Sequence, residues 1–352
     1  MRRVLGAVLI LLFTVLSAVA ADSGQFLLVL SKGDRTLAIV DPSALKVLGK
    51  VPVGEDPHEV IASRDGKFAY VSNYGSGAYH TLAVIDLISQ KALTPVDLGP
   101  LRGPHGLAFE GGIVWFTAEA AKAIGRYDPA TKTVDWILGT GQNRTHMIRV
   151  SRDMTHIYTT NVNSATVSII EKTAQTNPGP PPGAPPLGPG PGPARRPMTP
   201  PGGDWNETVV HVGRGSEGFD LRPDAKELWV ANAQDGTVSI IDLSTAQVSE
   251  TLQANVPGAN RIKFTPDGKL AFISSLGNAG ITVLDAASHK ELKRFPTPGA
   301  AGIEMQPDGS RVYVACTGGN YVAVIDPNNL EIVGRIDAGP QPDGMAWCIR
   351  QQ

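Results

Sequence analysis

Seven times along this 352-residue chain a short apolar, β-branched run ends in an acidic residue: Asp41, Asp86, Asp128, Glu171, Asp242, Asp285 and Asp326. The intervals are 45, 42, 43, 71, 43 and 41 residues, so one unit is repeated with a single interruption. Each unit reads as four short strands with turn chemistry between them. Around the second anchor the stretch from His58 to Ser63 turns at Asp65-Gly66 into the run Phe68 to Asn73. A third run, Thr81 to Asp86, and a fourth ending near Leu98 follow. The same tight turn recurs at Glu110-Gly111-Gly112, Asp153-Met154, Asp224-Ala225, Asp267-Gly268 and Asp308-Gly309.

A four-stranded antiparallel sheet repeated about every 42 residues is a propeller blade. The spacing therefore predicts an all-β, seven-bladed β-propeller occupying residues 21–352. Only three strands precede the first full blade, near 26–31, 36–41 and 47–53, and one strand, 344–350, follows the last. The C-terminal strand is thus expected to join the N-terminal three and close the ring, leaving no free inner edge.

Three stretches, Thr265-Pro266-Asp267-Gly268-Lys269, Glu227 to Asn232 and Gly236 to Asp242, resemble the YVTN-type β-propeller repeat. That repeat occurs in surface-layer proteins and in exported propellers related to the bacterial YncE protein. A second, local resemblance covers residues 103–128. Gly103-Pro104-His105-Gly106, Val114 to Thr117 and Ala123 to Asp128 are similar to the streptogramin-lyase repeat, and the other blades lack that pattern. These resemblances imply the fold; the architecture hosts binders, lyases, lactonases and cofactor carriers alike.

The N-terminus reads Met1-Arg2-Arg3, an apolar run to Leu16, then Ser17-Ala18-Val19-Ala20. This is the pattern of a secretory signal peptide over residues 1–20, cut before Ala21. The reading places the mature protein outside the cytoplasm, in the periplasm or extracellular, with no membrane span after cleavage. Cleavage would leave 29 Lys and Arg against 33 Asp and Glu. Nucleic acid is therefore not an expected partner, because no basic footprint remains. Cys316 and Cys348 fall at opposite ends of their strands, too far apart to bridge. The one interruption, residues 173–205, is a Pro/Gly-rich insertion expected to be disordered. It falls between the third and fourth strands of one blade and reads either as a tether for a Pro-recognising partner or as a tolerated surface insertion.

Strand direction sorts the loops onto two faces. The acidic anchors and the insertion lie on the lower face, where an Asp that starts a turn accepts backbone hydrogen bonds. On the upper face, aligning the starts of the innermost strands gives His58, His105, His146, Glu217, Asn260, Ala301 and Asp343 around the channel mouth. Arg102 and Arg144 precede two of the histidines, and His80 is in an upper loop. His58, His105, His146 and Glu217 form an expected divalent transition-metal set, since imidazoles converging from neighbouring strands with a carboxylate suit such an ion. The ring can equally be a merely solvated, polar position.

Two functions follow. The first is a binding protein, expected as a monomer, that holds a ligand, metal or partner, small molecule or protein, at this His-lined mouth. The second is a lyase-like or lactonase-like enzyme. In it His105 or His146 is the base, Glu217 the acid or metal ligand, and Arg144 the oxyanion partner; His80, Asn260, Asp343 and Arg102 are further ligand contacts.

Overall fold

The computed structural model describes residues 24–173 and 204–350. The expected signal peptide and most of the Pro/Gly-rich insertion lie outside the described residues. Seven sheets form the ring, each running from an innermost strand outward. Blade 1 is Gln25–Ser31, Thr36–Asp41 and Lys46–Pro52, with Pro342–Ile349 as its innermost strand. The C-terminal strand pairs antiparallel with the first, Gln25 opposite Ile349 and Leu28 opposite Ala346, which is the expected closure. The innermost strands of blades 2 to 7 are Pro57–Ala62, Pro104–Glu110, Thr145–Val150, Ser216–Leu221, Ala259–Phe264 and Ala300–Met305. In blade 2 the outermost strand is split into Lys91–Ala92 and Val96–Asp97, both paired with Thr81–Asp86.

The core is divided, one cluster to each of the seven interfaces between blades. Strands buried on both sheet faces explain why the second and third strands read as continuous apolar runs rather than alternating ones. Trp115 and Trp229 are fully buried in these clusters, each large enough to contribute several kcal/mol, on the order of 3–5 if truncated. Cys316 and Cys348 are buried and free, as their strand positions required.

Six of the seven acidic anchors do what a turn-initiating Asp does. Asp41, Asp86, Asp128, Asp242, Asp285 and Asp326 accept the backbone N–H two residues on, at 2.8, 2.8, 2.8, 2.7, 3.2 and 2.9 Å in ordinary Asx geometry. The seventh, Glu171, starts no turn. Its ladder continues through Lys172 opposite Trp205 to Thr173 opposite Asp204. The paired residues Thr173, Asp204 and Trp205 thus fall inside the boundaries drawn from composition. No helix among the described residues is long and apolar enough to cross a membrane.

Candidate functional site

Every innermost strand reaches the upper face through the same irregularity. Two of its residues oppose one on the second strand: His58 and Glu59 face Ser72, His105 and Gly106 face Thr117, and His146 and Met147 face Thr160. The other four blades repeat this with Glu217-Gly218, Asn260-Arg261, Ala301-Gly302 and Asp343-Gly344. This is a β-bulge, which bends a strand and re-aims its side chains. The aligned ring is therefore a ring of bulges, its members the first residue of each.

Local chemistry holds the bulges in place. Thr117 Oγ1 accepts from the Gly106 N–H at 2.8 Å and donates to the His146 carbonyl of the next blade at 2.7 Å. Thr160 makes the same link between Met147 N–H and the Glu217 carbonyl, and Ser274 between Arg261 N–H and the Ala301 carbonyl. Gly106 must be glycine, because a Cβ there would collide with the His146 carbonyl; Gly218, Gly302 and Gly344 are in the same position against their own neighbours. The second bulge position carries a side chain in only three blades: Glu59, Met147 and Arg261.

The residue following the second strand makes a further tier above the ring. Around the circle it is Lys32, Tyr74, Glu119, Val162, Ala233, Leu276 and Thr317. Polar chemistry thus gathers over blades 1 to 3, where the histidines begin. The His105 and His146 rings lie 3.9 Å apart between centroids and those of His58 and His105 4.9 Å; Tyr74 meets His58 and His105 edge-on. His105 and His146 are each only 2% exposed.

His146 is held between two carboxylates. Its Nδ1 bonds Glu119 Oε1, and its Nε2 is 2.7 Å from Glu217 Oε2, off the line a hydrogen bond needs. The second Glu119 oxygen accepts from Tyr74 Oη at 2.5 Å and from Arg144 Nε at 3.3 Å, and Arg144 Nη1 is 3.4 Å from Glu217 Oε1. Burial opposes charge on His146, but Glu217 and Glu119 together outweigh it and raise its pKa. Burial also works against the two carboxylates, yet His146 and Arg144 hold Glu119 below its ordinary value and Glu217 down to about 2.

The other two imidazoles are neutral. Burial drives His105 well below its usual value, with the charge on His146 adding to it. Burial and then Lys32 bring His58 to about 4. His105 Nδ1 is buried and has no hydrogen-bond partner. Such a nitrogen is open to a water, a ligand or an ion.

Donor atoms of His105, Glu119 and His146 all lie within 4.8 Å of one another. This trio shares His105 and His146 with the expected metal set and differs from it at two positions. His58 is outside the group because Lys32 Nζ, at 2.7 Å, and the Asp56 carbonyl, at 3.1 Å, occupy its two nitrogens. Glu217 is outside because it meets the opposite nitrogen of His146 from Glu119. Glu119 was missed, since it stands just past the second strand, where the apolar pattern stops. The signal that finds it is the alignment of first residues after second strands.

The other expected contacts divide. Asp343 is buried in the mouth, 3.4 Å from Lys32, and burial raises its pKa. Asn260 is buried in its bulge. His80 turns away to Asp97 at 2.8 Å on the broken outer strand of blade 2, and Arg102 is exposed.

No family model matches this chain, and no curated protein matches it. The likeness to YVTN-type repeats therefore rests on the residues quoted for it. Solved structures do match. A protein of unknown function from Desulfotomaculum acetoxidans DSM 771 is 13% identical, with TM-score 0.71 over 93% of this chain and 99% of that one. A Bacteroides uniformis ATCC 8492 protein, provisionally assigned as a 6-phosphogluconolactonase, is 14% identical, with TM-score 0.68 over 92% and 99%. The dihydro-heme d1 dehydrogenase NirN, in complex with DHE, is 14% identical, with TM-score 0.61 over 92% of this chain and 75% of its own. At these identities the likeness is one of fold.

Proposed function

We propose that this chain is an exported, monomeric propeller that binds a divalent transition-metal ion at its upper mouth. His105, His146 and Glu119 are the protein ligands. The observation that carries the reading is the buried trio of donors within 4.8 Å, one of whose nitrogens, His105 Nδ1, has no partner. Two imidazoles and a carboxylate form a donor set suited to zinc and its first-row neighbours, with a coordination position left for a further ligand. The partner on this reading is a small molecule reaching the mouth past His58, Glu217 and Arg144, which are part exposed.

The test is titration of the metal-free mature protein with Zn²⁺ and Co²⁺, followed by calorimetry, the Co²⁺ visible spectrum and thermal unfolding. One ion per chain and a raised melting temperature are expected, because a ligand that prefers the folded state stabilises it. His105→Ala and Glu119→Gln should each lose most of the shift. His289→Ala should not, since His289 sits in a lower-face turn against Trp229 and Glu250. No binding by the wild type, or equal binding by His105→Ala, would overturn the reading.

A further inference from the structure

The position two residues before each mouth residue has a left-handed backbone in all seven blades. It is Asp56, Gly103, Arg144, Gly215, Gly258, Gly299 and Gln341. Its backbone task is the same in six of them: the carbonyl accepts the N–H of the residue after the second strand, while in blade 7 the Gly299 carbonyl takes Gly318 N–H, one residue further on. Gly103, Gly215 and Gly258 perform it, as does Arg144, whose carbonyl takes Val162 N–H at 3.0 Å. The backbone therefore gives no reason for a side chain at residue 144. Asp56 and Gln341 share this conformation, so what distinguishes residue 144 is where its side chain goes.

What the Arg144 side chain does in the structure is incomplete for a guanidinium. It reaches two carboxylates on different blades through single long contacts, 3.3 Å to Glu119 and 3.4 Å to Glu217. Elsewhere in the molecule Arg126 grips Asp135 through two parallel bonds of 2.7 and 2.8 Å. That fork is the pairing for which arginine is suited, and no residue supplies it to Arg144. The side chain is 33% exposed, at the rim above the buried donors. Glu217 can release Arg144 and remain paired with His146.

The geometry points to Arg144 as the recognition residue for a small carboxylate-bearing molecule. The carboxylate takes the unfilled fork while the rest of the molecule lies over His105 and Glu119. This deepens the binding reading and rests on the upper mouth being the ligand site.

The experiment compares lactate with its neutral isostere lactamide on Zn²⁺-loaded protein, by calorimetry and thermal shift. Lactate is expected to bind with a midpoint at least tenfold lower than lactamide. Arg144→Gly, which installs the residue four other blades use, should fold normally and remove that preference. Arg144→Lys, which keeps charge but lacks the fork, should lose most of it. Equal binding of the two probes to the wild type, or a full lactate preference in Arg144→Gly or Arg144→Lys, would overturn the inference. If Zn²⁺ fails to bind, the metal reading falls, and the same comparison on metal-free protein still decides between the two outcomes for Arg144.

Discussion

The ion pair between Glu59 and Arg261 joins the second bulge positions of blades 2 and 6 across the lumen, with each side chain only 12% exposed. Both line the upper end of a channel cavity of about 360 Å³ that continues past Glu110, Arg149 and Trp347. Glu59→Met would leave the guanidinium in this buried place with little beyond its own Asn260 carbonyl at 3.2 Å. Stranding one partner of a buried pair costs about 3–5 kcal/mol. The nearby charges of Asp343 and Glu217, which help Glu59 raise the Arg261 pKa against burial, place the cost at the lower end, about 3 kcal/mol. At roughly 2 °C per kcal/mol for a chain of this size, the melting temperature should fall by about 6 °C. Arg261→Met should cost a similar amount.

The double variant, Glu59→Met with Arg261→Met, removes both desolvation penalties along with the attraction, and should return to within about 1 kcal/mol of wild type. Urea denaturation of the four proteins closes a double-mutant cycle, with an expected coupling of several kcal/mol. If the double variant is as unstable as the sum of the singles, the pair is not acting as a closed electrostatic unit. Singles indistinguishable from wild type would mean that water reaches the pair freely. Either result would refute the view that Glu59 and Arg261 form a buried pair in which each charge compensates the other.

Replacing residues 174–203 with an Asn-Gly turn between Thr173 and Asp204, which already pair, should leave the melting temperature unchanged or slightly higher; a loss of cooperative unfolding would show that the segment packs. Ending the chain after Gly344 strips most of the innermost strand from blade 1 and exposes the edge of Gln25–Ser31, so soluble, cooperatively unfolding protein should be lost; a truncated protein with an unchanged melting temperature would contradict the closure. His58 has a folded pKa of about 4 against about 6.5 unfolded, so the unfolded chain takes up the proton first. Its contribution therefore holds above pH 6.5 and is lost as pH falls toward 4. His58→Gln should flatten stability across that window, measured by urea denaturation at stepped pH, whereas an unchanged slope would mean that His58 is not buried neutral.

The fold was legible because a propeller repeats its punctuation. Asp41, Asp86, Asp128, Asp242, Asp285 and Asp326 each meet the same local demand, an acceptor for the turn that follows, and seven solutions to one problem leave a period in the sequence. The mouth histidines were legible for the same reason, since they stand at one register point in adjacent units. Their bulges were not read, although Gly106, Gly218, Gly302 and Gly344 each follow a mouth residue, because a bulge changes the pairing and not the alternation that defines a strand. Asn73 and Asn161 end second strands in blades 2 and 4. They reach third-strand hydroxyls, Thr81 from Asn73 and Thr166 and Ser168 from Asn161, a cross-strand contact that depends on register and so is not read from one strand's sequence.

The site was less legible because its chemistry lies in departures from the repeat. Glu119 holds a position that is Val162, Ala233 and Leu276 in other blades, and Glu59 and Arg261 hold one that is glycine in four. Arg144 holds another glycine position and bears a backbone cost of about 1–2 kcal/mol for it. An average over blades erases each of these, since the repeat records only what every blade needs in order to close the ring. The residues that no blade needs for closure, yet that cost stability where they stand, are the ones that gather at the upper mouth around His105 and His146. Arg144 shares its left-handed position with Asp56 and Gln341, so its side chain and not its backbone is what sets it apart: it alone of the three reaches the carboxylates that flank His146.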